Sequence, residues 1–266
     1  MTEPSTAPLP WPGGQIWACG RIGDSVSASR RPSGVDRAEI AGAACCRQDG
    51  ARPAAAPPHR RPALQQAARH CDGQTFTVRD ADPRRWGLLT VWEADASYSQ
   101  FAESSPVPRA WARIAAETWT VRLRPLASRG TWSGQVPFGD PPPRRHSGPV
   151  AALTRARIRP AKAATFWRAV PPVSADLRTV AGLRWAVGIG EAPIGLQGTF
   201  SLWDSAAELR EFAYNRAAHQ EAIARTSTVG WYAEELFARF AVERVEGTWD
   251  GSPPLGPAER AVADEP

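Results

Sequence analysis

From about Thr75 onward the chain carries its hydrophobic residues in two rhythms, alternation at every second position and recurrence at every third or fourth. Val150–Ile158 alternates as a strand. Ala161–Val170 reads as a helix that stops before Pro171-Pro172, because proline lacks the amide a helix interior needs. Leu183–Ile189 and Leu196–Trp203 alternate again around a Gly190–Gly195 turn, which predicts a hairpin. Asp204 or Ser205 can cap the long helix that follows, with Glu208 as capping-box partner to Ser205. Trp231–Val242 supplies a last strand. Upstream, the same reading predicts a strand over 87–93, a helix over 95–116 and a strand over 118–124.

These two stretches resemble each other. Thr90-Val91-Trp92-Glu93 matches Ser201-Leu202-Trp203-Asp204 at an offset of 111, and the same offset carries Phe101 onto Phe212. Ala116-Glu117-Thr118-Trp119 through Arg122-Leu123 matches Ala233-Glu234-Glu235-Leu236 through Arg239-Phe240 at an offset of 117. That offset also joins Gly130-Thr131-Trp132 to Gly247-Thr248-Trp249. A helix six residues longer in the second copy accounts for the change. The second copy runs β-α-β-β-α-β, the ferredoxin-like order. The expected fold is therefore α+β: tandem ferredoxin-like repeats forming a pseudo-dimeric α+β barrel. Residues 75–147 are expected to hold an incomplete first repeat, 148–250 the second, and 251–266 a disordered tail.

Residues 1–74 keep neither rhythm for long. They hold two Trp, nine Pro, no Phe and no Tyr, too little apolar surface to offset the conformational entropy of ordering. Disorder is the expectation for this irregular segment. Two alternatives stand beside it: a start further along the chain, since Met1 is the only methionine, and translation in a shifted frame.

Charge narrows the function less than the total of +5 suggests. Residues 1–74 carry nine Arg against six acidic residues, and the remaining 192 carry 23 basic against 21 acidic side chains, so no basic stripe follows a phosphate backbone. Nucleic acid is not an expected partner. The four cysteines, Cys19, Cys45, Cys46 and Cys71, lack paired C-x-x-C spacing and read as incidental, not as a zinc site. No run of about 18 apolar residues and no signal-like start occurs, so a cytoplasmic location is expected.

Few residues invite chemistry. His59 and His70 lie in the irregular segment, and His146 falls in the Pro/Arg loop, where a solvated ring is expected. His219 follows Leu209, Phe212 and Arg216 and precedes Ile223 at helical spacings, on or beside an apolar stripe. Two readings stay open: an imidazole pointing into the barrel and ligating a haem iron, or a core histidine satisfied by hydrogen bonds. The first copy has Pro108 at the equivalent place. Val187-Gly188-Ile189-Gly190-Glu191-Ala192-Pro193 lacks the third glycine of a dinucleotide fingerprint and reads as a tight hairpin, with Glu191 as a turn residue. Trp167, Trp185, Phe200, Trp203, Phe212, Trp231 and Phe237 sit at core spacings, though their number also suits a pocket for a large planar or polyene ligand. Of these, Trp185, Phe200, Trp203, Phe212 and Trp231 are the pocket candidates.

The stretch Gly182–Trp203 (GLRWAVGIGEAPIGLQGTFSLW), Phe212-Ala213-Tyr214 with His219, the run Gly230–Phe240 (GWYAEELFARF) and Gly130-Thr131-Trp132-Ser133-Gly134 together resemble the spheroidene monooxygenase family. The likeness covers roughly residues 75–250. It implies a dimeric α+β-barrel fold and a haem-dependent oxygenase that uses O2 to place keto or hydroxyl groups on carotenoids. It also implies electrons from a ferredoxin-type donor. In related barrels a helix histidine often holds the haem, and His219 is the position here that suits this. The chain departs from the family in residues 1–74, where members carry the first strand and helix of the first unit. A lipid-soluble substrate is compatible with peripheral contact at a membrane surface. The rival expectations are a non-catalytic barrel that binds haem or an apolar ligand, and a cofactor-free oxygenase on the same fold.

Overall fold

The computed structural model describes residues 15–22, 64–71, 81–92, 94–142, 144–191 and 195–255. Eight strands form a closed barrel: β1 Gln15–Ile22, β2 Leu64–Cys71, β3 Ala81–Val91, β4 Ala115–Gly130, β5 Val150–Ile158, β6 Leu183–Gly190, β7 Leu196–Trp203 and β8 Tyr232–Gly247. Around the barrel the order is β1-β3-β2-β6-β7-β5-β8-β4, every described pair antiparallel. Among the described residues five α-helices lie outside it: α1 Asp95–Ser104, α2 Pro106–Ile114, α3 Ala163–Leu177, α4 Ala206–Asn215 and α5 Ala217–Arg225. A π-turn at Thr226–Gly230 leads from α5 towards β8.

Alternation along the strands divides their side chains between two compartments. Trp119, Val121 and Leu123 of β4, Leu153 of β5, Phe200 and Leu202 of β7, and Leu236, Ala238 and Phe240 of β8 point inward and pack as one cluster. Their neighbours of opposite parity, Val150, Trp203 and Ala241, face outward and pack with Leu177 of α3 and Phe212 of α4. The barrel interior is filled by aromatic rings in contact, Trp119 with Trp185 at 4.7 Å and Phe138 with Phe240 at 5.0 Å between centroids.

The predicted strands Val150–Ile158 and Leu196–Trp203 have the bounds observed, and the β6–β7 hairpin forms as expected. Other elements differ. The helix expected to stop at Val170 runs on through Pro171 and Pro172 to Leu177, because Val170, Val173 and Leu177 bury themselves against the sheet. Both long helices are broken, one at Ser105 and the other at Arg216. Within 1–74, expected to be irregular, two strands are described: β1 hydrogen-bonds to β3 and β4, and β2 to β3 and β6. Their strand state comes from pairing on both edges, which a local pattern does not report. The rest of 1–74 lies outside the described residues. The expected tail is ordered at its start, where Leu255 is buried in the inner cluster and Trp249 bridges Ser252; residues 256–266 lie outside the described residues.

Contacts recur at the offsets noted in the sequence. Trp92 Nε1 donates to Thr90 Oγ1 at 2.8 Å, and Trp203 Nε1 to Ser201 Oγ at 2.9 Å. Trp92 meets Phe101 at 5.1 Å and Trp203 meets Phe212 at 5.4 Å. At the 117 offset, Gly130 (φ +92°) and Gly247 (φ +81°) each leave a strand where a Cβ would run into a neighbouring carbonyl, that of Glu235 or of Thr118. Glu234 then accepts from Thr131 Oγ1 and Gly134 N, while Glu117 accepts from Thr248 Oγ1, Asp250 N and Gly251 N. The α-helices match to the residue at offset 111, and the six additional residues of the second stretch are a π-helical extension of α5, Thr226–Gly230, with Trp231, which is the longer helix expected.

Candidate functional site

His219 lies on α5, half-buried, at the edge of the apolar layer between helices and sheet. The expectation of an imidazole inside the barrel is corrected: the ring stacks on Phe212, whose partners are the outward-facing Trp203 and Val150. The reason is the break at Arg216. One unbroken helix would keep His219 and Ile223 on the buried stripe of Leu209 and Phe212, but Ile223 is 49% exposed. The break folds α5 back, so that the His219 and Phe212 centroids are 4.7 Å apart and His219 Nδ1 lies 2.9 Å from the carbonyl oxygen of Ala213. A carbonyl only accepts, so Nδ1 carries the proton, and in the neutral ring the Nε2 lone pair is left free. Nε2 has no hydrogen-bond partner among the described residues. Such a bond fixes the tautomer and direction of the ring.

The five pocket candidates do not converge on this point. Trp203 and Phe212 stand beneath His219, Trp203 fully buried and Phe212 nearly so. Trp185 and Phe200 lie inside the barrel, 6.0 Å apart, with Trp119 and Trp249. Trp231 sits by the N-terminal half of α3, its Nε1 donating to Thr165 Oγ1 at 3.1 Å and its ring 5.9 Å from Phe166. Trp167 packs on Phe166 at 5.1 Å, and Phe237 lies under the Arg129 guanidinium. Alternation along the strands sends 200 and 203 to opposite faces, which aromatic count alone does not reveal. His146 is half-buried rather than solvated, its Nε2 2.9 Å from the Pro149 carbonyl oxygen.

A buried ionic cluster was missed. Arg155 of β5 continues the inward series Ala151, Leu153 and is 3% exposed. Its Nε and Nη2 donate to the two oxygens of Glu191 at 2.6 and 3.0 Å, and Nη1 donates to Glu234 Oε2 at 2.6 Å. The guanidinium also covers the Trp132 ring at 5.0 Å. Glu191 is thus a buried carboxylate, not the turn residue expected from its hairpin position. Burial works to raise the Glu234 pKa, but the Gly134 amide, Arg155, Thr131 and the Ser133 amide outweigh it and hold it down to about 2. Burial likewise opposes the charge on Arg155, and the two carboxylates more than offset it. The signal that was available is a charged residue on the inward face of an otherwise apolar strand. Fully paired as it is, the cluster fastens one end of the barrel and offers no free base.

No known protein family's sequence profile matches the chain. Curated relatives do. Spheroidene monooxygenase of Rubrivivax gelatinosus is 39% identical over 203 residues, 76% of this chain and 76% of that one. The enzyme of the same name from Rhodobacter capsulatus is 38% identical over 188 residues, 69% of this chain and 76% of its own length. This chain belongs to the spheroidene monooxygenase family. A third member, from Cereibacter sphaeroides, is 35% identical over 73% of this chain and 60% of its own. As a spheroidene monooxygenase family protein the chain is a monooxygenase, an enzyme class that uses O2. The fold is shared with a solved aldoxime dehydratase in complex with butyraldoxime, 12% identical, with a TM-score of 0.50 over 86% of this chain and 79% of that one. No described helix is long and apolar enough to cross a membrane.

Proposed function

We propose that the chain is a haem-dependent monooxygenase that inserts oxygen, as keto or hydroxyl groups, into a carotenoid. The substrate class follows the names of the curated relatives. The observation that carries the haem reading is the tie from His219 Nδ1 to the Ala213 carbonyl, which leaves Nε2 free. The donor fits such a group: Nε2 of a neutral imidazole is an iron ligand, and no described residue bonds to it. A single imidazole needs a macrocycle to complete the coordination, and haem provides one. When bound, the haem supplies the activation of O2.

The protein's own part is binding and orientation. Ala213 fixes the His219 tautomer and ring direction, while Phe212, packed on the buried Trp203, backs the imidazole with apolar surface. Trp185, Phe200 and Trp231, remote from that surface, act in this reading by packing the barrel and its flank. Electrons come from a ferredoxin-type donor. Tyr214 and Ile223, 66% and 49% exposed on α4 and α5, supply apolar contacts for peripheral binding at a membrane surface, where a lipid-soluble substrate resides. We read the fold as tandem ferredoxin-like repeats. The recurring Trp–Phe contacts, the matching helix bounds and the reciprocal Glu117 and Glu234 turns support this.

Reconstitution with haem tests the proposal. The purified protein should develop a Soret band that His219→Ala weakens, and with a ferredoxin, its reductase and O2 it should convert a carotenoid to an oxygenated product. An unchanged band removes His219 from the ligand role. Haem binding without O2-dependent product would make the chain a carrier barrel instead.

A further inference from the structure

The helical layer breaks twice at equivalent places, and only one break is written into the adjoining sequence. Offset by 111 residues, α1 and α2 map onto α4 and α5 end for end, so Ser105 corresponds to Arg216. Both residues are extended, Ser105 at φ −69°, ψ 143° and Arg216 at φ −93°, ψ 123°. Ser105 has local cause: Pro106 disfavours helical backbone in the residue before it, and Ser105 Oγ accepts from Val107 N at 3.3 Å to cap the new helix. Arg216 has none. Ala217-Ala218 follow it, the residue type of highest helix propensity, and nothing nearby bars one helix from 206 to 225.

What distinguishes Arg216 is a tertiary tie. Its Nη1 donates to Asp176 Oδ1 at 3.1 Å, in the last turn of α3, and lies 3.4 Å from Thr179 Oγ1 just beyond that helix. The consequence falls on His219. In an unbroken helix, positions seven apart are separated by about 10.5 Å along the axis. Here the Phe212 and His219 rings meet at 4.7 Å, and His219 reaches a carbonyl six residues back. Gln220 does the same towards the Tyr214 carbonyl.

We propose that Arg216 is a positioning residue: by tying the helix break to α3 it places the His219 imidazole against Phe212 with Nδ1 on Ala213. Its functional weight rests on the reading of His219 as the haem-ligand site. The test needs no cofactor. In NMR of the full chain, the His219 ring signals, assigned by their loss in His219→Gln, should show a cross-peak to the Phe212 ring. That cross-peak should vanish in R216A and return in R216A/A217P, where proline imposes on residue 216 the backbone that Pro106 imposes on Ser105. Its persistence in R216A, or its failure to return in the double variant, overturns the proposal. If the Arg216 variants do not fold, D176A and D176A/A217P, which remove the acceptor, decide on the same readout, loss then return supporting the assignment and an unchanged cross-peak overturning it. A Soret band unaffected by His219→Ala would count against the haem site alone.

Discussion

The layer of helices over β3 and the layer over β7 start from the same parts and diverge at one ring. Each sets a tryptophan on the outer face of its strand, bonds that indole to a hydroxyl two residues back, and lays a helix phenylalanine on it. Over β3 the next helix brings Pro108 to the position where the helix over β7 brings His219. Proline has neither donor nor ligand atom, so the first layer can only pack. The second carries an imidazole there. The barrel ends also correspond: Glu117 and Glu234 hold equivalent turns, and at the Glu234 end the buried Arg155 bridges to a second carboxylate, Glu191.

The largest effect that would sharpen this contrast is at the barrel ends. Arg155→Ala strands two carboxylates in the interior and should cost about 3–5 kcal/mol in denaturant unfolding. Arg85, buried and paired with Asp82 at 3.5 Å and Asp250 at 2.8 Å, should cost less on replacement by alanine, about 1–2 kcal/mol, because Asp250 is half exposed and can rehydrate. Equal losses would erase the distinction between the ends. In the helix layers, Phe212→Ala should destabilise by about 3 kcal/mol and Phe101→Ala by roughly half that, since Phe101 is the less buried ring.

Acid gives a smaller, directional signature. The Glu234 carboxyl titrates near 2 in the folded chain against an ordinary value of 4.5. Its stabilising contribution is therefore complete above about pH 4.5 and is lost as the pH falls towards 2. Glu234→Gln should remove that part of the acid transition, which a pH series of unfolding midpoints would reveal. Smallest are the caps. Ser205→Ala should cost about 1 kcal/mol, and Ser105→Ala about half that, because Pro106 already starts its helix. Thermal unfolding that ranks these two the other way would contradict the role given to Pro106.

Much of this architecture was readable beforehand. Val150–Ile158 and Leu196–Trp203 announce themselves because an alternating stripe buried on one face is a local property of the chain. Ser205 with Glu208 marked the start of α4 for the same reason: a cap is made between neighbours. What escaped was settled at long range. QIWACGRI and LQQAARHC become strands by pairing with β3 and with β4 or β6, partners dozens of residues away. The helix through Pro171-Pro172 continues because its far end is buried. Glu191 looked like a turn residue until Arg155, 36 positions earlier, was found beside it.

His219 shows where the division falls. Sequence alone determined that this imidazole follows a phenylalanine at helical spacing, that its counterpart is a proline, and that two stretches of the chain repeat. Tertiary structure decided which compartment the ring enters, because a helix that breaks at Arg216 turns its next face through an angle no local propensity encodes. The physical reason is range: periodicity reports what residues a few positions apart share, whereas an ion pair to Asp176 of α3 spans 40 positions and exists only after the chain has folded.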